Sequence, residues 1–187
     1  MKFNLPNMLI VLRIILIPVF LFFLLNAGSG EDIFRLIAII IYLVAAISDF
    51  FDGYLARKWN TVSNFGKMMD PLADKMLVSA ALIALAYRHE LSAWVVVIII
   101  CREFWVTALR QLALEQGREV IAASKWGKIK TMLQMTMLAL LMAGMGTEEL
   151  FGQTGTIIAT VFVYLAVIAT VISAIEYTKN HRVVFKA

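Results

Sequence analysis

The sequence predicts an all-α, polytopic membrane protein: six transmembrane helices with a cytosol-facing polar cavity, in a single domain over residues 1–187. Three observations predict it. A hydrophobic fraction of 61% against 16% charged residues, with a mean hydropathy of +0.85, excludes an ordinary soluble globule. The apolar residues gather into six runs, at 8–26, 33–53, 69–87, 91–113, 130–146 and 155–177. Each approaches the roughly 20 residues that cross a hydrocarbon layer. Most connectors are short, as between antiparallel helix neighbours.

The first run is longer than the apolar core of a signal peptide, is interrupted by Arg13 and precedes no A-x-A site, so it is expected to stay as helix one. The second run ends, and the third begins, in aspartates. The fourth holds the single cysteine, Cys101, which rules out a disulfide framework and is expected to be a small buried apolar residue. The connector at 114–129 is the longest, polar but helix-forming in composition. Met132, Met135, Met137, Met142 and Met145 give the fifth run an adaptable or lipid-facing surface, and Gly144 and Gly146 mark its outer end. His89 and His181 are expected to be solvated, one on an outer loop and one in the tail.

With six spans both termini share a side. That side holds Lys2, Arg57, Lys58, Lys67, Arg110, Arg118, Lys125, Lys128, Lys130, Lys179, Arg182 and Lys186, whereas the opposite connectors hold Arg35 and Arg88. The positive-inside rule then makes both ends and the aspartate loop cytoplasmic in a multi-pass cell-membrane protein. The pI of 9.3 arises from this one face and suits anionic lipid. No motif points to nucleic acid, and no nucleic-acid partner is expected.

Four aspartates stand within this apolar background. They read Asp49-x-x-Asp52-Gly53-x-x-Ala56-Arg57, then eight residues to Gly66, then Gly66-x-x-x-Asp70-x-x-x-Asp74. Carboxylates beside hydrocarbon are unfavourable by about 2.5–3.5 kcal/mol each, so a cluster marks a functional site. Asp49 and Asp52 share one helical face, as do Asp70 and Asp74. Pro71 suits a first helical turn. If the two helices pack side by side, four carboxylates converge, enough to hold two hard divalent cations, Mg²⁺ or Mn²⁺. Gly53, Ala56, Gly66 and Ala73 leave bare walls for a bulky anion, and Arg57 is placed to reach its phosphate. Taken singly, Asp70 also reads as a helix N-cap, and Asp49 and Asp52 as interfacial partners of Arg57 and Lys58.

These residues, at this spacing, resemble the D-x-x-D-G-x-x-A-R-x8-G-x-x-x-D-x-x-x-D pattern of the CDP-alcohol phosphatidyltransferase family. Asn4-Leu5-Pro6-Asn7, Arg13, Pro18, Asp70-Pro71-x-Ala73-Asp74-Lys75, Arg102-Glu103, Ala108-Leu109-Arg110 and Gly127-Lys128-x-Lys130-Thr131 are similar to its phosphatidylglycerophosphate synthase branch. Ile10 departs from it, standing about where relatives often carry Thr. The resemblance implies transfer of a phosphatidyl group from CDP-diacylglycerol to an alcohol with release of CMP, in a bacterial inner-membrane homodimer. By position, Asp49 and Asp70 would bridge two metals, Asp52 would complete one site and Asp74 the other. Asp74 would also accept the proton of the attacking hydroxyl. Asn7, Asp49, Gly53, Arg57, Ser63 and Gly66 would line the CDP-diacylglycerol pocket.

For glycerol 3-phosphate as acceptor, the candidate phosphate ligands are Arg110, Arg118 and Lys125. Glu103, Thr107 and Arg110 fall on one stripe of helix four, where Glu103 could orient a cation. The alternative is that Arg102 and Glu103 satisfy each other and that Lys125, Lys128 and Lys130 are membrane-surface anchors. Other acceptors (inositol, inositol phosphate, serine or phosphatidylglycerol), a divalent-cation carrier and an intramembrane prenyltransferase are the rival readings.

Overall fold

The apolar runs form six α-helices close to the predicted places. The computed structural model describes residues 5–28, 33–58, 64–116 and 125–180; at 5–7, 9, 49–58, 64–68, 70, 71, 74, 114 and 148–150 it describes the backbone only. The helices are α1 (Leu5–Asn26), α2 (Ile33–Lys58), α3 (Asn64–Tyr87), α4 (Ala93–Glu115), α5 (Lys125–Leu140) and α6 (Glu148–Asn180), with a π-helical turn at Leu141–Met145 extending α5. No strand occurs among the described residues, so the fold is all-α. Among them, Phe151–Asn180 is the one helix long and apolar enough by composition to cross a membrane. Shorter apolar stretches run over Ile10–Asn26, Ile33–Ser48 and Lys75–Tyr87.

The chain forms two compact units, Met1–Arg88 and His89–Ala187. In the first, α1 lies against both α2 and α3, and α2 and α3 touch each other. Ile10, Arg13, Ile17, Phe20, Leu24 and Ala27 form the buried stripe of α1, at the three-to-four spacing of one helical face. Against it α2 buries Arg35, Ala38, Tyr42 and Ala45, and α3 buries Ala73, Leu77, Ala81 and Leu85. The alanines let the backbones approach closely. Phe20 tilts onto Tyr42 with ring centroids 5.7 Å apart. A groove of about 710 Å³ runs between α1 and α3, with Ile17, Leu21 and Leu25 on one wall and Met76, Ile83 and Tyr87 on the other. Arg88 closes the C-terminal end of α1: Nη1 donates to the carbonyls of Leu24 (3.0 Å) and Ala27 (2.7 Å), and Nη2 to that of Gly28 (3.4 Å). A helix end has carbonyls without intrahelical donors, and Arg88 supplies them.

In the second unit α4 and α5 each pack on α6. Val96, Ile99, Val106 and Leu109 of α4, Met137 and Leu138 of α5, and Ala159, Ala166 and Ala169 of α6 form its core. Gly144 takes φ 92° as the fifth helix ends, the role its sequence position suggests, and Gly152 (φ 57°) breaks the first turns of α6. Cys101 is exposed, contrary to expectation, because it sits two residues past buried Ile99 and so on the opposite face of α4. His89 is exposed in the turn between α3 and α4, as expected, and His181 lies outside the described residues.

Candidate active site

The motif helices run further than the apolar pattern predicts. α2 continues to Lys58 and α3 begins at Asn64, so all four aspartates lie within helices rather than at their tips. Pro71 is therefore not in the first turn of α3. It stands well inside, where its missing N–H leaves the Lys67 carbonyl without its usual helical donor. Asp70, likewise internal, is not an N-cap.

Helical register relates the quartet to the packing faces. The buried series of α2, Arg35, Ala38, Tyr42 and Ala45, continues at the same spacing to positions 49 and 52. On α3, position 70 stands three residues before buried Ala73 and position 74 three residues before buried Leu77, in a series that continues to Ala81. Two pairs of aspartates thus occupy the packing registers of two helices that touch. An all-oxygen donor set at such positions fits hard divalent cations and offers nothing to a soft metal. Among the described side chains, which exclude the quartet, no group of three or more His, Cys, Asp or Glu gathers. Asn7 lies on α1, Gly53 and Arg57 on α2, and Gly66 on α3, all in the first unit and by backbone position. Ser63 and Arg118 lie outside the described residues, as do the side chains that would line the expected polar cavity.

The second unit carries a polar cluster that sequence reasoning resolved only in part. Lys130, expected at the membrane surface, is instead 3% exposed, and its Nζ pairs with Glu103 Oε1 across α5 and α4. Arg102 Nη1 reaches the same oxygen at 3.0 Å, while its Nη2 donates to Ser173 Oγ of α6 at 2.6 Å. Arg102 and Glu103 thus pair with each other, as the alternative reading had it, and Lys130 shares the same oxygen. The signal was available: an acid in an apolar run needs a counter-ion, and Lys130, Gln134, Met137 and Leu141 recur at helical spacing along the buried side of α5. Thr107 bonds back to the Glu103 carbonyl at 2.7 Å, within its own helix.

Arg110 is half-buried. Its Nη2 donates to the Tyr177 hydroxyl at 2.7 Å, and its guanidinium stands 5.4 Å from that ring's centroid. Nε of Arg110 is buried without a hydrogen-bond partner among the described residues, leaving a donor for a ligand. Lys125 is exposed at the first residue of α5, and no described hydrogen bond or ion pair joins it to Arg110.

Comparison with known proteins bears directly on this arrangement. The family model for CDP-alcohol phosphatidyltransferase matches residues 3–172, spanning the aspartate helices and most of the second unit. A CDP-diacylglycerol–glycerol-3-phosphate 3-phosphatidyltransferase of Bacillus subtilis (strain 168) is 43% identical over 95% of this chain and 95% of its own. An enzyme of the same name from Haemophilus influenzae is 40% identical, over 95% of this chain and 92% of its own. A probable phosphatidylglycerophosphate synthase of Mycobacterium tuberculosis is 38% identical over 93% of this chain and 79% of its own. Such coverage sets the carrier and prenyltransferase readings aside. The chain is an enzyme and belongs to the CDP-alcohol phosphatidyltransferase family.

Proposed function

We propose that this protein transfers the phosphatidyl group of CDP-diacylglycerol to glycerol 3-phosphate, giving phosphatidylglycerophosphate and CMP. The observation that carries the reading is the register of Asp49, Asp52, Asp70 and Asp74 on the packing faces of two touching helices. The names of the relatives from Bacillus and Haemophilus support the acceptor.

In this reading Asp49, Asp52, Asp70 and Asp74 would together hold two divalent cations. When bound, Mg²⁺ or Mn²⁺ would neutralise the pyrophosphate and lower the pKa of the acceptor hydroxyl. Asp74 takes the hydroxyl proton as the acceptor oxygen forms its bond to the phosphorus that bears diacylglycerol. The bond from that phosphorus to the CMP oxygen breaks, and CMP leaves with the electron pair. Asn7, Gly53, Arg57, Ser63 and Gly66 bind the nucleotide and pyrophosphate, with glycine keeping the wall bare. Arg110, Arg118 and Lys125 hold the acceptor's phosphate. The unpartnered Nε of Arg110 supports its share.

The reading includes a multi-pass bacterial membrane protein forming a homodimer, with both ends and the active site cytoplasmic. The charge asymmetry of its connectors supports that orientation. The test is CMP release by purified protein from CDP-diacylglycerol, with glycerol 3-phosphate supplied or withheld and with EDTA or Mn²⁺ added. Release that depends on glycerol 3-phosphate and is abolished by EDTA is expected. Equal release with inositol or serine would refute the acceptor, and full release in EDTA would refute the metals.

A further inference from the structure

We propose that Arg13 is a positioning residue of the aspartate site: a fixed internal cation that offsets the quartet's negative charge and ties α1 to α2 beside Asp49. The inference rests on the reading of the quartet given above. Arg13 is 0% exposed, on the stripe of α1 that faces α2 and α3. Its Nε donates to the Ala45 carbonyl at 3.3 Å. In an α-helix that carbonyl also accepts the N–H of residue 49, so the guanidinium sits at the level of Asp49 on α2.

The same height follows independently on α3. The groove sets Ile17 to Asn26 of α1 alongside Met76 to Tyr87 of α3, and Arg88 at the end of α3 reaches Leu24 and Ala27, so α1 and α3 run in parallel. Four residues before Ile17 is Arg13; four before Met76 is Leu72, between Asp70 and Asp74. Arg13 is thus level with both pairs of aspartates. A guanidinium withdrawn from solvent needs an anion, because a carbonyl dipole does not neutralise its charge. Residues 1–88 contain Glu31, Asp32 and the quartet as their acids. Glu31 and Asp32 come before α2 in the sequence, and its first residue, Ile33, is already roughly 18 Å along the helix from Ala45. The quartet is what remains at this height.

Four clustered carboxylates repel one another when no metal is present, and a cation among them relieves that repulsion. The same cation opposes the arrival of a divalent ion. Removing it therefore weakens the metal-free protein yet tightens metal binding, a pairing that mere loss of packing does not produce.

The test uses the full chain in detergent, with Mn²⁺ binding followed by electron paramagnetic resonance of the free ion and thermal unfolding in EDTA. Arg13→Met is expected to lower the Tm in EDTA and to bind Mn²⁺ on the order of tenfold more tightly. Arg13→Lys, which keeps the charge, should bind Mn²⁺ within about twofold of the unaltered chain. Unchanged or weaker Mn²⁺ binding by Arg13→Met, or equal tightening by Arg13→Lys, overturns the proposal. Should Arg13→Met not fold, adding Asp49→Asn in the same chain must recover folding; no recovery overturns it as well. If the unaltered chain takes up no Mn²⁺, the two-metal reading fails. Arg13 is then decided by the EDTA measurement: Asp49→Asn must restore the Tm lost in Arg13→Met, and failure to do so overturns the positioning role.

Discussion

Glu103→Gln and Lys130→Met break the same ion pair, yet the structure makes their effects unequal. Glu103 Oε1 receives both Lys130 and Arg102, the latter at 3.0 Å. Neutralising it removes the anion that two cations share on one oxygen, and at a separation of about 5 Å an effective dielectric near 20 gives them a repulsion of about 3 kcal/mol. Losing the anion of a buried pair costs about 3–5 kcal/mol, and Glu103→Gln belongs at the upper end. Lys130→Met leaves Glu103 still paired with Arg102 and places an apolar chain in an apolar site, so about 1–2 kcal/mol is expected. Adding Lys130→Met to Glu103→Gln removes one of the two repelling cations, so the double variant should be more stable than the sum of the single losses by at least about 1 kcal/mol. Thermal unfolding in mild detergent, followed by tryptophan fluorescence, measures all three. At about 2–4 °C per kcal/mol, Glu103→Gln should lower the Tm by roughly 8–20 °C. Strict additivity, or a larger loss from Lys130→Met, would refute the shared-acceptor account.

Three further outcomes follow from the first unit and its site. Asp74→Asn should lower turnover about 10²- to 10⁴-fold in the CMP-release assay, and near-normal turnover would remove it as the base. Arg88→Ala strips donors from the carbonyls at the end of α1, so unfolding measurements should show a loss of about 1–3 kcal/mol. Ala45→Leu and Ala38→Leu each overfill the same buried stripe of α2 and should lose about 1–3 kcal/mol. Ala45→Leu lies one turn from Asp49, so at matched stability it should lose more activity; equal activities would show that α1–α2 spacing does not reach the site.

Much of this architecture was legible in the residues. Six long apolar runs located six helices, and Gly144 ended the fifth as its conformational freedom allows. The aspartate spacing identified the family. The helix ends at the motif were not legible, because hydropathy falls where carboxylates enter, while α2 continues to Lys58 and α3 starts at Asn64 in spite of it. Hydropathy also hid Lys130: a lysine near a polar connector reads as a surface anchor, and its pairing with Glu103 of α4 helps make its burial tolerable. Cys101 was misplaced for a related reason. Small apolar residues suit a protein core and a lipid-facing surface equally well, and composition does not say which face of α4 turns outward.

The helix without an aspartate organises the ones that have them. α1 touches both α2 and α3, and its described buried residues run from Ile10 and Arg13 to Leu24 and Ala27 under Arg88. The separation of α2 from α3, and with it the distance between the two aspartate pairs, is therefore set largely by what α1 places between them. That gives a physical reason for small residues at Ala38, Ala45, Ala73 and Ala81: each lets a backbone settle on its neighbour, where a larger side chain would move a whole helix. A site made from the faces of two helices is only as exact as their spacing, and chemistry that depends on positioning can lose about 10²-fold for a shift of roughly 1 Å. On the proposed function, a packing helix is thus part of the catalytic geometry although the motif assigns it no aspartate.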